Sequence, residues 1–441
     1  MKVKIECPRG TKDVLPAESY KWSYVEKVFR EQARIYGVNE IRVPMFEHTE
    51  LFQRGVGDTT DVVQKEMYTF EDKKGRSITL RPELTAGTAR SIIQNGLLGG
   101  LLPLKAFYIG SCFRYEKAQT GRYREFHQFG VEMFGAKGPL VDAELISLAS
   151  SVFEVLGVKD IELQINSIGC KECRKKYHQA LREYFSQFED RLCPDCKNRL
   201  EKNPMRLLDC KVEDCKEIAK NAPKITDYIC EDCREHFDGL KSYLDAMGIK
   251  YVVNPTIVRG LDYYSKTVFE FVSTSIGSQG TVCGGGRYDG LIEELGGNSI
   301  PALGFAIGIE RLILVMEAQG IPFDMPVPCD IYIGSMGEKA QLKSAVLCDA
   351  LRKEGFSAEA DLMEKGVKGQ MKYANKIGCR FSLIIGDDEL ANDKAKLKNM
   401  KTGEEKEISL GEAFVEEFYN VSIDDALGDE FEKSLENLPI N

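Results

Sequence analysis

At 441 residues the chain exceeds what one compact core sustains, so two or three domains are expected. Hydrophobic content of 43% and charged content of 29% describe an ordinary soluble globular protein. A net charge of -10 argues, taken alone, against a nucleic-acid partner. The distribution of charge changes that reading. From Glu412 onward nine acids face one Lys433, a net of -8, which leaves only -2 for residues 1–411. The acidity belongs to the C-terminus, read as a solvated or weakly ordered tail, and the body is free to carry basic surfaces. The opening Met1–Glu6 has no apolar run, and the most apolar stretch, Pro301–Met316, is broken by Glu310 and Arg311. Neither a secretory leader nor a membrane span is expected, and the expected compartment is the cytoplasm.

In chain order, periodicity predicts a helix over Ala17–Tyr36 stopped by Gly37, then a strand over Ile41–Pro44. Met67–Phe70 and Ser77–Leu80 flank a polar turn and read as a hairpin. Strands follow at Lys105–Arg114 and Phe126–Phe134 around the loop Lys117–Arg124, then at Thr267–Val272, with a helix over Phe305–Val315. Hairpin-linked short strands imply an antiparallel sheet and an α+β fold. Residues 170–236 hold eight of the fourteen cysteines among Lys, Glu and Asp, and read as a small inserted domain. Pro322–Pro328 reads as a linker. Beyond it, strands at Asp330–Gly334, Phe356–Ala360 and Phe381–Gly386 alternate with helices at Glu338–Gly355 and Lys365–Ile377, a small α/β domain.

No phosphate loop, dinucleotide fingerprint or HExxH helix is present, and only four His occur, which disfavours metallohydrolase and serine-triad chemistry. Four polar clusters stand beside the antiparallel elements instead. In Arg81-Pro82-Glu83-Leu84-Thr85, Pro82 fixes a turn that could aim Glu83 and Thr85 into a cleft. Phe113-Arg114-Tyr115-Glu116 is followed by Phe126–Glu132, where Gln128 and Glu132 share one strand face. Arg259-Gly260-Leu261-Asp262-Tyr263-Tyr264 joins a permanent cation to two phenols, and the glycines of Gly284–Gly290 permit close approach of backbone to a ligand. Gly304–Leu312 reads as an apolar helix with one embedded Arg311. Each cluster also has a purely structural reading: Glu83 as a helix N-terminal acid, Gln128 and Glu132 as a solvated strand face, the triple glycine as a tight turn, Arg311 as a buried partner of Glu310.

The order and spelling of these clusters resemble the class II aminoacyl-tRNA synthetases, specifically the histidyl-tRNA synthetase family. Tyr36–Pro44 resembles the class motif 1, Phe113–Glu116 with Phe126–Glu132 motif 2, and Gly304–Arg311 motif 3, while Arg259–Tyr264 and Gly284–Gly290 resemble the histidine-specific stretches. The resemblance covers nearly the whole chain. It implies a catalytic domain over residues 1–325 with an antiparallel sheet and a Cys-rich insertion at about 170–240, an anticodon-binding α/β domain over 329–420, and an acidic tail over 421–441. It further implies a homodimer that joins L-histidine to tRNA(His) through histidyl-adenylate, using ATP with Mg²⁺ and releasing pyrophosphate and then AMP.

The resemblance also implies roles. Arg259, Arg114 and Arg311 serve adenylation, with Arg114 at the α-phosphate, Arg311 at the γ-phosphate side and Arg259 adding charge where it develops; Glu116 joins the ATP site. Glu83 takes the α-ammonium of histidine, helped by Thr85 and Gln128. Glu132 and Tyr264 bracket the imidazole, and Tyr263 adds a wall. Asp262 is left to brace the turn. The loop Lys117–Arg124 meets the tRNA acceptor end, and Lys365, Lys368, Lys372 and Lys376 form a basic helical stripe for phosphates. Two rivals share much of this pattern: the synthetase-like regulatory subunit of ATP phosphoribosyltransferase, which lacks the anticodon-binding domain, and other class II synthetases, which lack the two histidine-specific stretches.

Cys170-x-x-Cys173, Cys193-x-x-Cys196, Cys210-x₄-Cys215 and Cys230-x-x-Cys233 offer eight thiolate ligands, compatible with zero, one or two structural zinc ions. Cys112 and Cys283, beside motif residues, read as buried packing residues.

Overall fold

The computed structural model describes residues 5–57, 60–257, 262–276, 280–325 and 329–436. The chain divides into two compact units, 1–324 and 325–441. The first is built on an eight-stranded sheet. Its order across the sheet is Asn39–Glu40, Leu104–Phe113, Glu125–Phe134, Ala302–Gly308, Thr281–Arg287, Ser265–Ser273, Ile161–Ser167 and Val252–Val253. The six inner strands pair antiparallel, and each edge strand joins parallel to its neighbour. The antiparallel expectation is met.

Residue alternation gives this sheet two unlike faces. One carries Phe129, Val131, Met133, Leu303, Phe305, Ile307, Phe269 and Phe271, packed into one core with Val25, Phe29, Ala149, Val152, Leu312 and Met316 of the helices Pro16–Ile35, Pro139–Val155 and Ile309–Ala318. The other face carries Gln128, Gly130 and Glu132, with Gly304, Ala306 and Gly308 opposite them in register and Gly284 and Gly286 beyond. Small residues there leave a trough across the middle of the sheet.

Three expectations are displaced. Ile41–Pro44 is not a strand: pairing ends as the Ile41 N–H donates to Phe107 O at 2.8 Å. The carbonyls of Val43 and Pro44 then accept from the buried Arg81 guanidinium, at 2.7 and 3.2 Å. Phe305–Gly308 is strand rather than helix: Gly304 and Gly308 are poor helix formers, the segment pairs with strands on both sides, and the helix begins only at Ile309. The triple glycine lies in the strand Thr281–Arg287, not in a turn. The Met67–Leu80 hairpin forms as Tyr68–Glu71 and Ser77–Leu80.

The insertion is helical, with Lys171–Ser186, Pro194–Lys202, Glu213–Ala219 and Glu231–Ala246 joined by short 3₁₀ turns around a core of Tyr177, Leu181, Phe185, Leu200 and Ile218. The linker expectation at Pro322–Pro328 falls partly on residues 326–328, outside the described residues. The second unit has a five-stranded sheet in the order Ala358–Ala360, Ile331–Ser335, Phe381–Ile385, Lys394–Asn399, Glu405–Ser409. The first three strands are parallel, as the alternating pattern predicted; the last two add an antiparallel hairpin. The acidic C-terminal segment is helical from Phe414 to Glu436 rather than irregular. Asp425 explains part of this, since it takes hydrogen bonds from Arg380 and Asn399, both at 2.7 Å. No helix among the described residues is long and apolar enough to cross a membrane.

Candidate active site

The trough holds two cavities. The smaller, about 80 Å³, is walled by Glu83, Thr85, Tyr263, Tyr264 and Tyr288. The larger, about 400 Å³, is walled by Glu116, Arg122, Phe126, Glu270 and Arg311 among others. Arg114, Gln128, Gly284 and Ala306 border both, so the two form one continuous cleft.

Glu83 reaches the small cavity because the turn after the strand Ser77–Leu80 runs directly into the helix Thr85–Gln94. Its carboxylate accepts the Thr85 and Ala86 N–H groups at 2.6 and 2.9 Å, two donors that the first turn would otherwise leave unpaired. The helix-terminal reading of Glu83 therefore holds, and the same carboxylate lines the cavity. Burial pushes its pKa up, against the pull of those hydrogen bonds and of the Arg114 charge.

Glu132 lies fully buried one step behind the cavity wall. Thr85 Oγ1 and Tyr108 OH donate to its Oε1 at 2.6 and 2.8 Å, and Tyr288 OH donates to its Oε2. Burial pushes its carboxyl up to about 8, although three hydroxyls stabilise the anion. Its space depends on glycine: a Cβ at Gly304, its partner in register, would overlap the carboxylate. Gly130 is required in the same way by the Tyr108 ring lying across it. Tyr263 and Tyr264 are both buried, with ring centroids 4.7 Å apart, and Tyr263 meets Tyr288 edge-on at 5.3 Å. Among the described residues no cation hydrogen-bonds Glu83 or Glu132.

Two arginines of the larger cavity, Arg114 and Arg311, donate to backbone carbonyls. Arg114 Nε donates to Pro82 O at 2.9 Å, and its guanidinium lies 5.2 Å from the Phe126 ring centroid. Arg311 donates from Nε to Gly121 O at 3.0 Å and from Nη1 to Thr281 O at 2.9 Å. Carbonyl oxygens orient these two guanidinium groups, and Arg114 Nη1 also lies 3.9 Å from Glu116 Oε1. Glu310 does not partner Arg311; it accepts the His127 backbone N–H at 2.9 Å and pairs with His127 Nδ1. Glu116 pairs with Arg122.

The structure thus gathers Glu83, Thr85, Gln128, Tyr263 and Tyr264 in one cavity and Arg114, Glu116 and Arg311 in the next, with Glu132 behind the first. Arg259 lies outside the described residues. Asp262 accepts a hydrogen bond from Asn203 of the insertion at 3.0 Å, while its own N–H donates to Val56 O. Two site residues had no distinct signal in the sequence. Tyr108 is spelled like any strand core residue, and Tyr288 stood unassigned within the glycine-rich stretch. Cys112 is fully buried, as expected, and also donates to Gln128 Oε1 at 3.3 Å, burial having pushed its thiol up to about 12.

A family model described as Histidyl-tRNA synthetase matches residues 10–312. The chain belongs to the histidyl-tRNA synthetase family. A second model, described as Anticodon binding domain, matches residues 330–417. The chain is 57% identical over 405 residues to the histidine–tRNA ligase of Acetivibrio thermocellus, covering 92% of this chain and 97% of the relative. It is 58% identical to that of Clostridium novyi, with the same coverage. Among solved structures, apo histidyl-tRNA synthetase of S. aureus superposes with a TM-score of 0.81 at 42% identity, covering 94% of this chain and all of the other. Aminoacylation of tRNA(His) is the family function, and the regulatory-subunit and other-synthetase alternatives give way to it.

Proposed function

We propose that the small cavity is the histidine subsite and the large one the ATP subsite of a histidine–tRNA ligase. The observation that carries this reading is the division of one cleft into an acid- and tyrosine-walled end and an arginine-walled end, with Arg114 on their border.

Glu83 receives the α-ammonium, a positive charge beside two buried carboxylates that no cation among the described residues hydrogen-bonds. Thr85 and Gln128 complete the hydrogen bonds to the amino acid. The imidazole lies among Tyr263, Tyr264 and Tyr288, and the Glu132 carboxylate accepts its N–H past the gap left by Gly304. A side chain unable to donate there leaves Glu132 desolvated and unmatched, which makes the selection steep. The histidine carboxylate then points towards Arg114 and attacks the α-phosphorus in line; pyrophosphate leaves. Arg114 stabilises charge at the α-phosphate and Arg311 holds the γ-phosphate side, with Glu116 fixing the Arg122 side of the nucleotide site. Arg259 keeps the role at the α-phosphate that the resemblance assigns it. Glu270 and Glu310, both in the large cavity, are oxygen donors of the type that would hold a Mg²⁺ brought with ATP, which would supply neutralisation of phosphate charge.

In the second step the histidyl group passes to the terminal ribose of tRNA(His), and AMP leaves. The loop 117–124 faces the acceptor end. Lys368, Lys372 and Lys376 form an exposed stripe on the helix Val367–Lys376, while Lys365 precedes that helix with its ammonium 5.4 Å from the Tyr373 ring. These lysines serve tRNA phosphates in the anticodon-binding unit. The working enzyme is a homodimer in the cytoplasm. Histidine-dependent ATP–pyrophosphate exchange tests the reading: exchange driven by histidine alone among the amino acids supports it, and exchange indifferent to histidine overturns it.

A further inference from the structure

The eight cysteines of the insertion separate into two groups of four, with none left over: Cys170, Cys173, Cys230 and Cys233, and Cys193, Cys196, Cys210 and Cys215. In the first group each C-x-x-C straddles a helix N-terminus. Cys170 caps Lys171–Ser186 and Cys230 caps Glu231–Ala246, with the second cysteine of each pair in the first turn. In the second group Cys193 caps Pro194–Lys202, Cys196 lies within that helix, Cys210 follows a 3₁₀ turn and Cys215 lies in Glu213–Ala219.

Within each group the four Sγ atoms lie within 4.8 Å of one another. Individual separations are 3.5 Å for Cys170–Cys173 and 3.9 Å for both Cys173–Cys233 and Cys193–Cys210. Four thiolates about 2.3 Å from one tetrahedral ion stand roughly 3.8 Å apart. Iron–sulfur clusters, which seat several metal atoms among their cysteines, need wider spacing than that. Backbone N–H groups also point at sulfur: Cys230 N donates to Cys173 Sγ at 3.1 Å and Cys193 N to Cys215 Sγ at 3.4 Å, the outer-shell bonding that metal thiolates take. A small apolar residue would fill these positions as well as a thiol does, so packing alone does not explain convergence of all eight.

We propose that each group binds one zinc ion through four cysteine thiolates, and that the ion at the root of the insertion fixes the tyrosine wall of the amino-acid cavity. Soft thiolate sets in tetrahedral array select zinc over the hard cations that accompany ATP. The root site ties residue 170 to residue 233, closing the insertion at its base. One residue beyond Cys173, Arg174 donates to the backbone carbonyls of Tyr264 at 2.9 Å and Asp262 at 3.4 Å. The second site stiffens the segment carrying Asn203, which holds the Asp262 carboxylate, and Arg199 and Arg206, which both pair with Asp61 at 3.0 Å. The insertion thus grips the segment leading into Tyr263 and Tyr264 from behind. This second half of the proposal rests on the histidine reading of the cavity; the metal assignment does not.

The test uses the full chain, purified under reducing conditions without added metal and analysed by inductively coupled plasma mass spectrometry. Two zinc ions per chain are expected, falling to one in Cys193→Ser/Cys196→Ser and to one in Cys170→Ser/Cys173→Ser. One zinc or fewer in the wild type, or iron in its place, overturns the two-site assignment. If a variant does not fold, wild type prepared with cobalt must take up two equivalents with tetrathiolate absorption, and failure to do so counts equally against it. In ATP–pyrophosphate exchange, Cys170→Ser/Cys173→Ser should raise the histidine KM about tenfold while the ATP KM stays near wild type. An unchanged histidine KM in the folded variant overturns the coupling. Wild-type exchange that ignores histidine overturns the cavity reading and leaves the zinc count standing.

Discussion

Glu132 and Asp142 are equally buried carboxylates in the same unit, yet their surroundings push them in opposite directions. Around Glu132 the donors are hydroxyls, and burial prevails, raising it to about 8. Around Asp142 burial also raises the pKa, but the hydrogen bond from His236 and the charge of Arg287 outweigh it, and the carboxyl sits below its ordinary value. Arg287 is fully buried, and it spends its donors on Asp142, Asp289 at 3.1 Å and the carbonyls of Ala136 and Gly138 at 3.0 and 3.3 Å. The Asp142 region is electrically complete within the chain and acts as a lock between the strand Thr281–Arg287 and the helices Pro139–Val155 and Glu231–Ala246. Around Glu132, among the described residues, the hydrogen-bond partners are the neutral hydroxyls of Thr85, Tyr108 and Tyr288. Charge balance, rather than burial, separates the residues that hold this fold from those proposed to read the substrate.

The largest effect expected from breaking that contrast is on stability. Asp142→Ala strands Arg287 without its main counter-charge and should cost roughly 3–5 kcal/mol in denaturant unfolding. Measured near pH 5, where folded Glu132 keeps its proton, Glu132→Gln should leave stability within about 1 kcal/mol of wild type, since it keeps the shape of the neutral acid; an equal loss in both variants would erase the distinction. Next in size, Glu83→Gln should raise the histidine KM about 100-fold in pyrophosphate exchange, with the ATP KM little changed. The reverse split would move Glu83 out of the amino-acid subsite. A smaller effect is expected with pH. Between the ordinary value of 4.5 and about 8, folded Glu132 keeps a proton that the unfolded chain has lost, so its contribution to stability falls as pH rises through that window. Asp142 behaves oppositely: its contribution is present above the ordinary carboxylate value and lost as pH falls below it. Unfolding midpoints of the two variants against pH should therefore diverge from wild type at opposite ends of the scale. Smallest, neutralising Lys368, Lys372 and Lys376 together should weaken tRNA charging several-fold and leave pyrophosphate exchange intact; loss of both activities would contradict their assignment.

The antiparallel sheet, its hairpins and most of the polar clusters were legible because alternation and turn residues carry them locally. What was not legible depends on register. Gly304 and Gly130 acquire a purpose only once the pairing sets them beside Glu132 and Tyr108. Gly304–Gly308 reads as helix in the sequence because its apolar run continues unbroken into a true helix at Ile309, and periodicity cannot divide the two. Arg287, embedded in a glycine-rich stretch suited to ligand approach, proves to be a lock, since its partner Asp142 lies 145 positions away along the chain. The helix ending at Glu436 was hidden by its charge, because its anchor, Asp425, finds Arg380 only in the folded unit.

Proton release on histidine binding tests the central claim most directly. Titration calorimetry at pH 7, repeated in buffers of different ionisation enthalpy, counts the protons exchanged. With Glu132 near 8 and largely protonated in the free chain, binding of histidine with a neutral imidazole that donates its N–H to the Glu132 carboxylate should expel close to one proton, and Glu132→Gln should abolish that release. Equal proton exchange in wild type and Glu132→Gln would show that the buried carboxylate does not meet the substrate, and would contradict the account.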